Sequence, residues 1–460
     1  MSQFISEEKS ESVGRAVARG VVISGSTNVI LRFLEAAVAV LLLSRLSIFQ
    51  YGAYQLTLSA FELFAGFFFA GLSSVIIADV SREAAGDNKF QANTLFGAYA
   101  YFQFAVSVFL WAVFFFGANL LTYWVGGETQ LIRIVSFLFL ASPAEQLLGL
   151  HLQIQLKFWW LNAYKILYMI SRLGMLTTVF FLGLLDAKWA VVSLVFSSVA
   201  ASLVVIPFVS FVSSIGAPQP MRRAKALFAV IKEHGKWAIV NDFIGNIGSS
   251  IRPFLIRIFV GVEAVAVFTV AQNFAGYLSS AFPIREVLSP IFPRQAHDAK
   301  ALAATFNRVL KYSTLAFLLI AAAGAVAVPL FVKLAFPKYV LSLPYLFVYL
   351  FAMPLLGFRL AVTPLFAALK KQKLFFSITI YRTAVSAVLG ALLIWLLGIW
   401  GAAFEASFGV SLLLLPVYTK ALRRMLPDWK FSAREFFAFN QDDRRLASAI
   451  VRRLKPAFWR

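Results

Sequence analysis

The sequence predicts an all-α polytopic membrane protein with about 12 transmembrane helices in two parallel six-helix bundles. Three observations predict this fold class: an apolar composition, an alternation of basic connectors, and an internal repeat. Of the 460 residues, 60% are hydrophobic and 14% are charged, and the mean hydropathy is +0.80. A soluble domain is about half apolar and about one quarter charged. The apolar surplus must face lipid, which excludes a soluble enzyme, a DNA-binding module and a disordered scaffold.

Twelve apolar stretches are long enough to cross a bilayer, because a spanning helix needs about 20 apolar residues. The first stretch follows a polar cytoplasmic tail (residues 1–19) and is too long for the core of a signal peptide, so we expect it to stay uncleaved. The bundles are predicted at 20–213 and 236–424, joined by a cytoplasmic amphipathic connector at 214–235. A basic amphipathic tail at 425–460 is predicted to lie on anionic lipid. The spans are predicted at roughly 20–45, 52–79, 94–122, 131–155, 160–184, 188–213, 236–260, 264–291, 309–335, 340–368, 373–398 and 400–423.

Basic residues alternate between the two sides of the predicted membrane. The connectors around Arg82, Arg222 and Lys370 are rich in Lys and Arg, whereas the intervening set holds little beyond isolated residues such as Arg45 and Arg133. Lys and Arg accumulate in cytoplasmic connectors, and the rich set shares its side with both termini. The pattern therefore predicts cytoplasmic N and C termini in a bacterial inner membrane. The net charge of +21 follows from this topology and predicts no nucleic-acid partner.

The second half of the sequence repeats features of the first half. The run from Phe137 to Pro143 resembles the run from Val348 to Pro354, and Trp189 corresponds to Trp400. Several such matches occur in the same order at an offset of about 211 to 214 residues. Six spans in each half give both halves the same orientation, and parallel halves of this kind are typical of transporters.

Charged residues within the predicted spans indicate a candidate lumen. A charge at bilayer depth costs a few kcal/mol or more and normally faces a cavity or a partner. Arg32 and Glu35 are three residues apart and could instead neutralise each other, while Arg257 and Arg285 could snorkel to an interface. The candidate substrate-binding residues are Arg32, Glu35, Glu62, Arg172, Arg252, Arg257, Arg285, Arg359 and Arg382.

The excess of arginine in this set favours a substrate with phosphates or acidic sugars, because the guanidinium group stays charged and binds phosphate through two hydrogen bonds. An exporter of drugs or cations would need more carboxylates than arginines. The carboxylate of Asp242 shares a helical stripe with Asn246 and Arg257, and it is either an ion-coupling site or a structural counter-ion. Cys is absent and the three His are scattered, so we expect no metal site, no cofactor and no cysteine nucleophile.

The run Leu43-Ser-Arg-Leu-Ser-Ile-Phe-Gln-Tyr51-Gly-Ala-Tyr-Gln-Leu resembles the span 1–2 signature of the Wzx-like polysaccharide flippases, a branch of the MATE/MOP superfamily. Ala70-Gly71-Leu72 and Arg82-Glu83-Ala84 continue that signature, and the runs Val265–Ala275 and Pro290–Pro293 resemble the matching segment of the second half. The resemblance implies a non-enzymatic flippase that moves an undecaprenyl-diphosphate-linked oligosaccharide between leaflets by alternating access. It also implies a polysaccharide polymerase and other export components as partners.

Other membrane functions remain as alternatives. A polysaccharide polymerase or membrane glycosyltransferase usually has a large outer loop and acidic residues in its first outer connector, but Arg45 to Gly52 is short and has no carboxylate. A major-facilitator transporter should carry Gly-x-x-x-Asp-Arg in its 2–3 connector, and that motif is absent around Asp79. A drug or ion antiporter of the MATE type is the remaining alternative.

Overall fold

The computed structural model describes the following residues: 30–66, 89–126, 128–155, 157–208, 236–280, 298–369 and 371–427, with isolated positions 27, 76, 80, 228, 288, 292 and 429. Every regular element within these residues is a helix, which confirms the all-α class. The helices are α1 (residues 30–45), α2 (Ile48–Ala65), α3 (Lys89–Phe116), α4 (Ala118–Val125), α5 (Thr129–Ile154), α6 (Phe158–Phe181), α7 (Ala187–Val205), α8 (Lys236–Phe259), α9 (Val262–Ser280), α10 (Ala299–Ala335), α11 (Leu343–Ala352), α12 (Pro354–Ala368), α13 (Gln372–Leu397), α14 (Ile399–Phe404) and α15 (Val410–Met425).

The described residues contain six helices that are long and apolar enough to cross a membrane, or seven if α11 and α12 form one broken span bent by 56°. The helices α6, α8 and α9 coincide with predicted spans but do not meet the same length and hydropathy test. Polar side chains interrupt their apolar runs, and these three helices carry much of the candidate site.

Four predicted spans differ from the observed helices. Span 3 is interrupted at Gly117, between α3 and α4. The helix α10 begins at Ala299, about ten residues before the predicted start of span 9, because its first turns carry charged residues that a hydropathy criterion excludes. Span 10 is interrupted at Met353, where Pro354 starts a new helix. Span 12 contains a π-helical turn, Glu405–Gly409, between α14 and α15.

The chain forms two compact units, each built from several stretches of sequence. In the first unit, a buried cluster from α3, α5, α6 and α7 includes Phe96, Tyr99, Leu148, Tyr164 and Ala201. The predicted connector at 214–235, apart from Phe228, and the tail beyond residue 429 lie outside the described residues. The ranges of the first unit are Met1–Tyr277, Ala325–Tyr349 and Phe376–Val410, and those of the second are Leu278–Gly324, Leu350–Phe375 and Ser411–Arg460.

An aromatic cluster organises the second unit. The ring of Phe306 on α10 lies 6.3 Å from that of Phe358 on α12, and Phe358 lies 6.1 Å from Tyr418 on α15. The indole Nε1 of Trp429 donates a 2.8 Å hydrogen bond to Oδ1 of Asn307. Tilted and edge-to-face ring pairs of this kind each add about 0.5–1.5 kcal/mol to the burial of apolar area.

Candidate functional site

Arg172 lies on α6 in the first unit, and its guanidinium has only part of its hydrogen bonds satisfied. Its Nη2 donates a 2.7 Å hydrogen bond to the hydroxyl of Tyr54 on α2, whereas its buried Nε has no hydrogen-bond partner. No carboxylate of the described residues lies within ion-pair distance of it. A buried donor without an acceptor raises the free energy of the folded protein. An anionic or polar ligand could supply the missing acceptor.

Local sequence explains how Arg172 and Tyr54 come together. The residues Tyr164, Tyr168 and Arg172 follow one another at intervals of four and therefore line one face of α6. The start of α2 is fixed by a capping box, in which the backbone N–H of Gln50 donates to Ser47 Oγ and that of Ser47 donates to Gln50 Oε1, both at 3.1 Å. This start determines which face of α2 carries the tyrosine.

Arg32 and Glu35 on α1 form an ion pair with each other. Arg32 Nη1 lies 2.7 Å from Glu35 Oε2, with the side chains 52% and 27% exposed. The hydroxyl of Tyr277 on α9 is within electrostatic range of both residues, of Arg172 and of Tyr54. We call these five residues, from α1, α2, α6 and α9, the arginine–tyrosine cluster.

Arg252 has a different environment from Arg172. Its Nε lies 2.7 Å from Oε2 of Glu405, and the two side chains are 13% and 1% exposed. The other carboxylate oxygen of Glu405 accepts a hydrogen bond from the hydroxyl of Ser386. The structure thus provides Arg252 with a buried counter-ion, and its predicted role in substrate binding stays a prediction.

Arg257 lies at the end of α8 and contacts the end of α4. Its guanidinium donates to the carbonyl oxygens of Trp124 at 2.6 Å and of Tyr123 at 3.2 Å. Gly126 follows with φ of +76°, and a Cβ there would lie 2.0 Å from Arg257 Nε. A cation at these carbonyls complements the negative end of the helix, so Arg257 serves as a helix cap.

Lys338, between α10 and α11, makes a similar contact with the end of α1. Its Nζ donates to the carbonyl oxygens of Leu46 at 2.6 Å and of Ser44 at 3.1 Å. Together, Lys338 and Arg257 bring two basic side chains from the second half of the sequence to the C-terminal ends of helices from the first half. We call these two contacts the carbonyl clamps.

The other predicted site residues do not join the cluster in the described structure. Glu62 is exposed on α2, Arg359 is exposed on α12 in the second unit, and Arg382 is half-buried on α13. Asp242 lies within α8, where its side chain is outside the described part, and Arg285 is outside the described residues.

Several polar groups that the structure brings into contact are not among the residues predicted for the site. Tyr54 and Tyr277 belong to the cluster, and Lys338 forms a clamp, but none of them has a local pattern that reveals a partner so distant in sequence. Glu145, on α5, accepts a 3.3 Å hydrogen bond from Ser198 of α7. A carboxylate within an apolar span was a detectable signal, and it was missed.

The fold is that of a multi-span membrane protein, with six helices among the described residues that are long and apolar enough to cross a bilayer. An inward-facing multidrug resistance MATE transporter of the MOP superfamily is 14% identical, with a TM-score of 0.69 over 87% of this chain and 96% of that one. The lipid II flippase MurJ, in an inward closed conformation, is 14% identical with a TM-score of 0.66 over 90% and 95%. A MOP superfamily transporter from Pyrococcus furiosus is 14% identical with a TM-score of 0.62 over 89% and 95%. At these identities the likeness shows the fold alone.

The particular family follows from the sequence. The profile of the polysaccharide biosynthesis protein family matches residues 42–343, and the chain belongs to this family. No curated protein matches the sequence. The resemblance to the Wzx-like branch and the MATE/MOP-like fold class are thereby confirmed.

Proposed function

We propose that the protein is a flippase for an undecaprenyl-diphosphate-linked oligosaccharide. It would move this precursor across the bacterial inner membrane by alternating access, without catalysing a reaction on it. The observation that carries the proposal is Arg172, whose buried Nε lacks a partner and whose only hydrogen bond among the described residues goes to a tyrosine hydroxyl. A diphosphate supplies the oxygen acceptors that such a guanidinium lacks.

The rest of the cluster suits the same ligand. Arg32 adds a second, half-exposed guanidinium, and the hydroxyls of Tyr54 and Tyr277 can bond to phosphate or sugar oxygens. Residues 42–343 belong to a family of polysaccharide biosynthesis, which supports a glycan-bearing substrate over a drug. The partners we expect are this substrate, anionic membrane lipids, and a polymerase with other export components.

The carbonyl clamps support alternating access. In the proposed topology both termini are cytoplasmic, so Arg257 and Lys338 lie at the external ends of their helices. Contacts that join helices of the two halves at that end would close the external side. Flipping would then require the clamps to break while the substrate remains bound to the cluster.

The test is flipping in proteoliposomes of an isoprenyl-diphosphate disaccharide that carries a fluorescent NBD group, followed by dithionite quenching. We expect Arg172→Gln to lower the flipping rate about 10- to 100-fold, since a hydrogen bond to a charged group contributes about 1.5–3 kcal/mol. Arg172→Lys should restore only part of the rate, because the ammonium lacks the planar pair of donors.

The matched control is Arg133→Gln, which removes an equal charge from an exposed position on α5. It should flip at the wild-type rate. Normal flipping by Arg172→Gln, at equal protein incorporation, would refute the proposal. Efflux of a cationic dye by the wild type, without flipping of the lipid, would identify the antiporter alternative instead.

A further inference from the structure

A row of contacting side chains connects Arg172 to the clamp of Lys338. Arg172 Nη2 donates its 2.7 Å hydrogen bond to the hydroxyl of Tyr54. The ring centroid of Tyr54 lies 6.0 Å from that of Tyr51, which lies 6.0 Å from that of Tyr339 in an edge-to-face pair. Tyr339 directly follows Lys338 in sequence, and Lys338 Nζ lies 5.5 Å from its ring centroid. We call the three tyrosines, Tyr54, Tyr51 and Tyr339, the tyrosine row.

The tyrosine row is tightly enclosed by the protein. Its members are at most 3% exposed. The hydroxyl of Tyr51 also accepts a 3.3 Å hydrogen bond from Asn273 of α9. The neighbouring backbone has no space either, since a Cβ on Gly52 would lie 2.2 Å from the carbonyl oxygen of Val262. Closely packed side chains transmit a displacement instead of absorbing it, so one ring of the row cannot move without moving the next.

A diphosphate on Arg172 would disturb the first member of the row. The hydroxyl oxygen of Tyr54 is the acceptor for Arg172 Nη2, and a phosphate oxygen is a stronger acceptor because it is charged. The ligand would therefore take this hydrogen bond, and the hydroxyl of Tyr54 would turn to donate to the ligand. Because the ring of Tyr54 packs on that of Tyr51, Tyr51 must accommodate the change.

The last member of the row belongs to the segment that carries the clamp. Tyr339 lies in the 3₁₀ turn Pro337–Ser342, together with Lys338. Because Lys338 Nζ donates to the carbonyl oxygens of Leu46 and Ser44, the position of this turn determines whether the clamp is closed. The buried hydroxyl of Tyr339 has no hydrogen-bond partner. No hydrogen bond of that hydroxyl therefore opposes a movement of the ring.

We propose that the tyrosine row couples the two sites, so that a diphosphate bound at Arg172 weakens the clamp of Lys338. This inference rests on the proposed function, since it assumes a diphosphate at Arg172. Coupling between two sites is reciprocal, so loss of the clamp strengthens binding of the ligand. The coupling makes opening of the external side depend on bound substrate and limits opening of the empty protein.

A packing role without coupling has a different consequence. If the tyrosines only fill the space between helices, replacing one lowers stability but leaves the effect of the clamp on affinity as it was. If they couple the two sites, replacing one makes the affinity independent of the clamp. The quantity that separates the two roles is the ratio of the Kd values measured with and without the clamp.

The experiment measures calorimetric binding of farnesyl diphosphate to the purified protein in detergent. We expect Lys338→Met to lower the Kd about fivefold, at the lower end of known couplings between sites, because one of the two hydrogen bonds of this clamp is exposed. In a Tyr51→Leu background the same change should alter the Kd less than about twofold. Tyr51→Phe keeps the ring and removes the hydroxyl, so Lys338→Met should retain its full effect in that background.

The matched control is Tyr345→Leu, which removes a tyrosine ring whose centroid lies 5.0 Å from that of Trp400. In this background Lys338→Met should still lower the Kd about fivefold. If Tyr51→Leu does not fold, Tyr339→Leu interrupts the same row at its next member and should abolish the effect of Lys338→Met in the same way.

The outcomes distinguish this inference from the function on which it rests. If the wild type does not bind farnesyl diphosphate, or if Arg172→Gln binds it as tightly as the wild type, the diphosphate site fails and the coupling fails with it. If the diphosphate binds through Arg172 but Lys338→Met leaves its Kd unchanged, or lowers it equally with and without Tyr51, only the coupling fails.

Discussion

The carbonyl clamps give a quantitative prediction about conformational equilibrium. Each clamp holds two hydrogen bonds from a cation to backbone carbonyls. A hydrogen bond to a charged group contributes about 1.5–3 kcal/mol when buried, and solvent reduces this value because three of these four bonds are exposed. About 1–2 kcal/mol for each clamp is therefore reasonable. If the clamps are independent, removing both should shift the equilibrium away from the clamped state by about 30-fold to several hundred-fold.

The perturbation is the double variant Arg257→Met with Lys338→Met, which keeps most of each aliphatic stem and removes the charge. Because the sequence contains no Cys, spin labels can be attached at introduced thiols without a background. We would label Gln130→Cys and Glu263→Cys, two exposed positions that belong to the first and second halves of the sequence.

The assay is electron paramagnetic resonance distance measurement in lipid nanodiscs. We expect one short distance in the wild type and a substantial longer population in the clamp variant. The control, Arg133→Met with Lys333→Met, removes equal charge from two exposed positions and should keep the wild-type distribution. An unchanged distribution in the clamp variant would refute the reasoning that these contacts hold the external side closed.

The remaining predictions concern the ion pair of Arg252 with Glu405 and the carboxylates of Asp242 and Glu145. Arg252→Met or Glu405→Gln alone should destabilise the protein by about 3–5 kcal/mol, because either change leaves an unpaired buried charge. The double variant Arg252→Met with Glu405→Leu should recover much of this loss, because it leaves no unpaired charge. Apparent melting temperatures in detergent measure both effects. If Asp242 couples transport to an ion, Asp242→Asn should abolish the dependence of flipping on an imposed proton or sodium gradient, and Glu145→Gln is the matched variant for a second carboxylate within a span. If wild-type flipping follows only the membrane potential, neither residue couples ions, since moving one charge through 100 mV already supplies about 2.3 kcal/mol.

The helices were largely predictable because long apolar runs determine them. The prediction of 131–155 corresponds to Thr129–Ile154, and 160–184 corresponds to Phe158–Phe181. Prolines were less informative. Pro143 lies within an uninterrupted helix, whereas its repeat counterpart Pro354 starts a new helix after a break. The packing around each proline decides whether its freed carbonyl finds a partner, and that packing has no local signature.

The site was predictable in its chemistry but not in its pairing. Arginines 172, 252 and 257 look alike in sequence, since each interrupts an apolar run. Only the structure distinguishes them. Arg172 is incompletely paired, Arg252 binds a carboxylate 153 residues away, and Arg257 binds carbonyl oxygens 133 residues away. A residue at such a separation leaves no periodic pattern by which it could be recognised.

The π-helical turn at Glu405–Gly409 has a consequence for comparing related sequences. Such a turn accommodates one residue more than a regular α-helix, so the faces of α14 and α15 are out of phase by about 100°. A relative that lacks this extra residue would align well on either side of the turn and yet present a different face after it. An insertion or deletion of a single codon in this stretch therefore reports whether the residues after the turn, on α15, present the same face as in this protein.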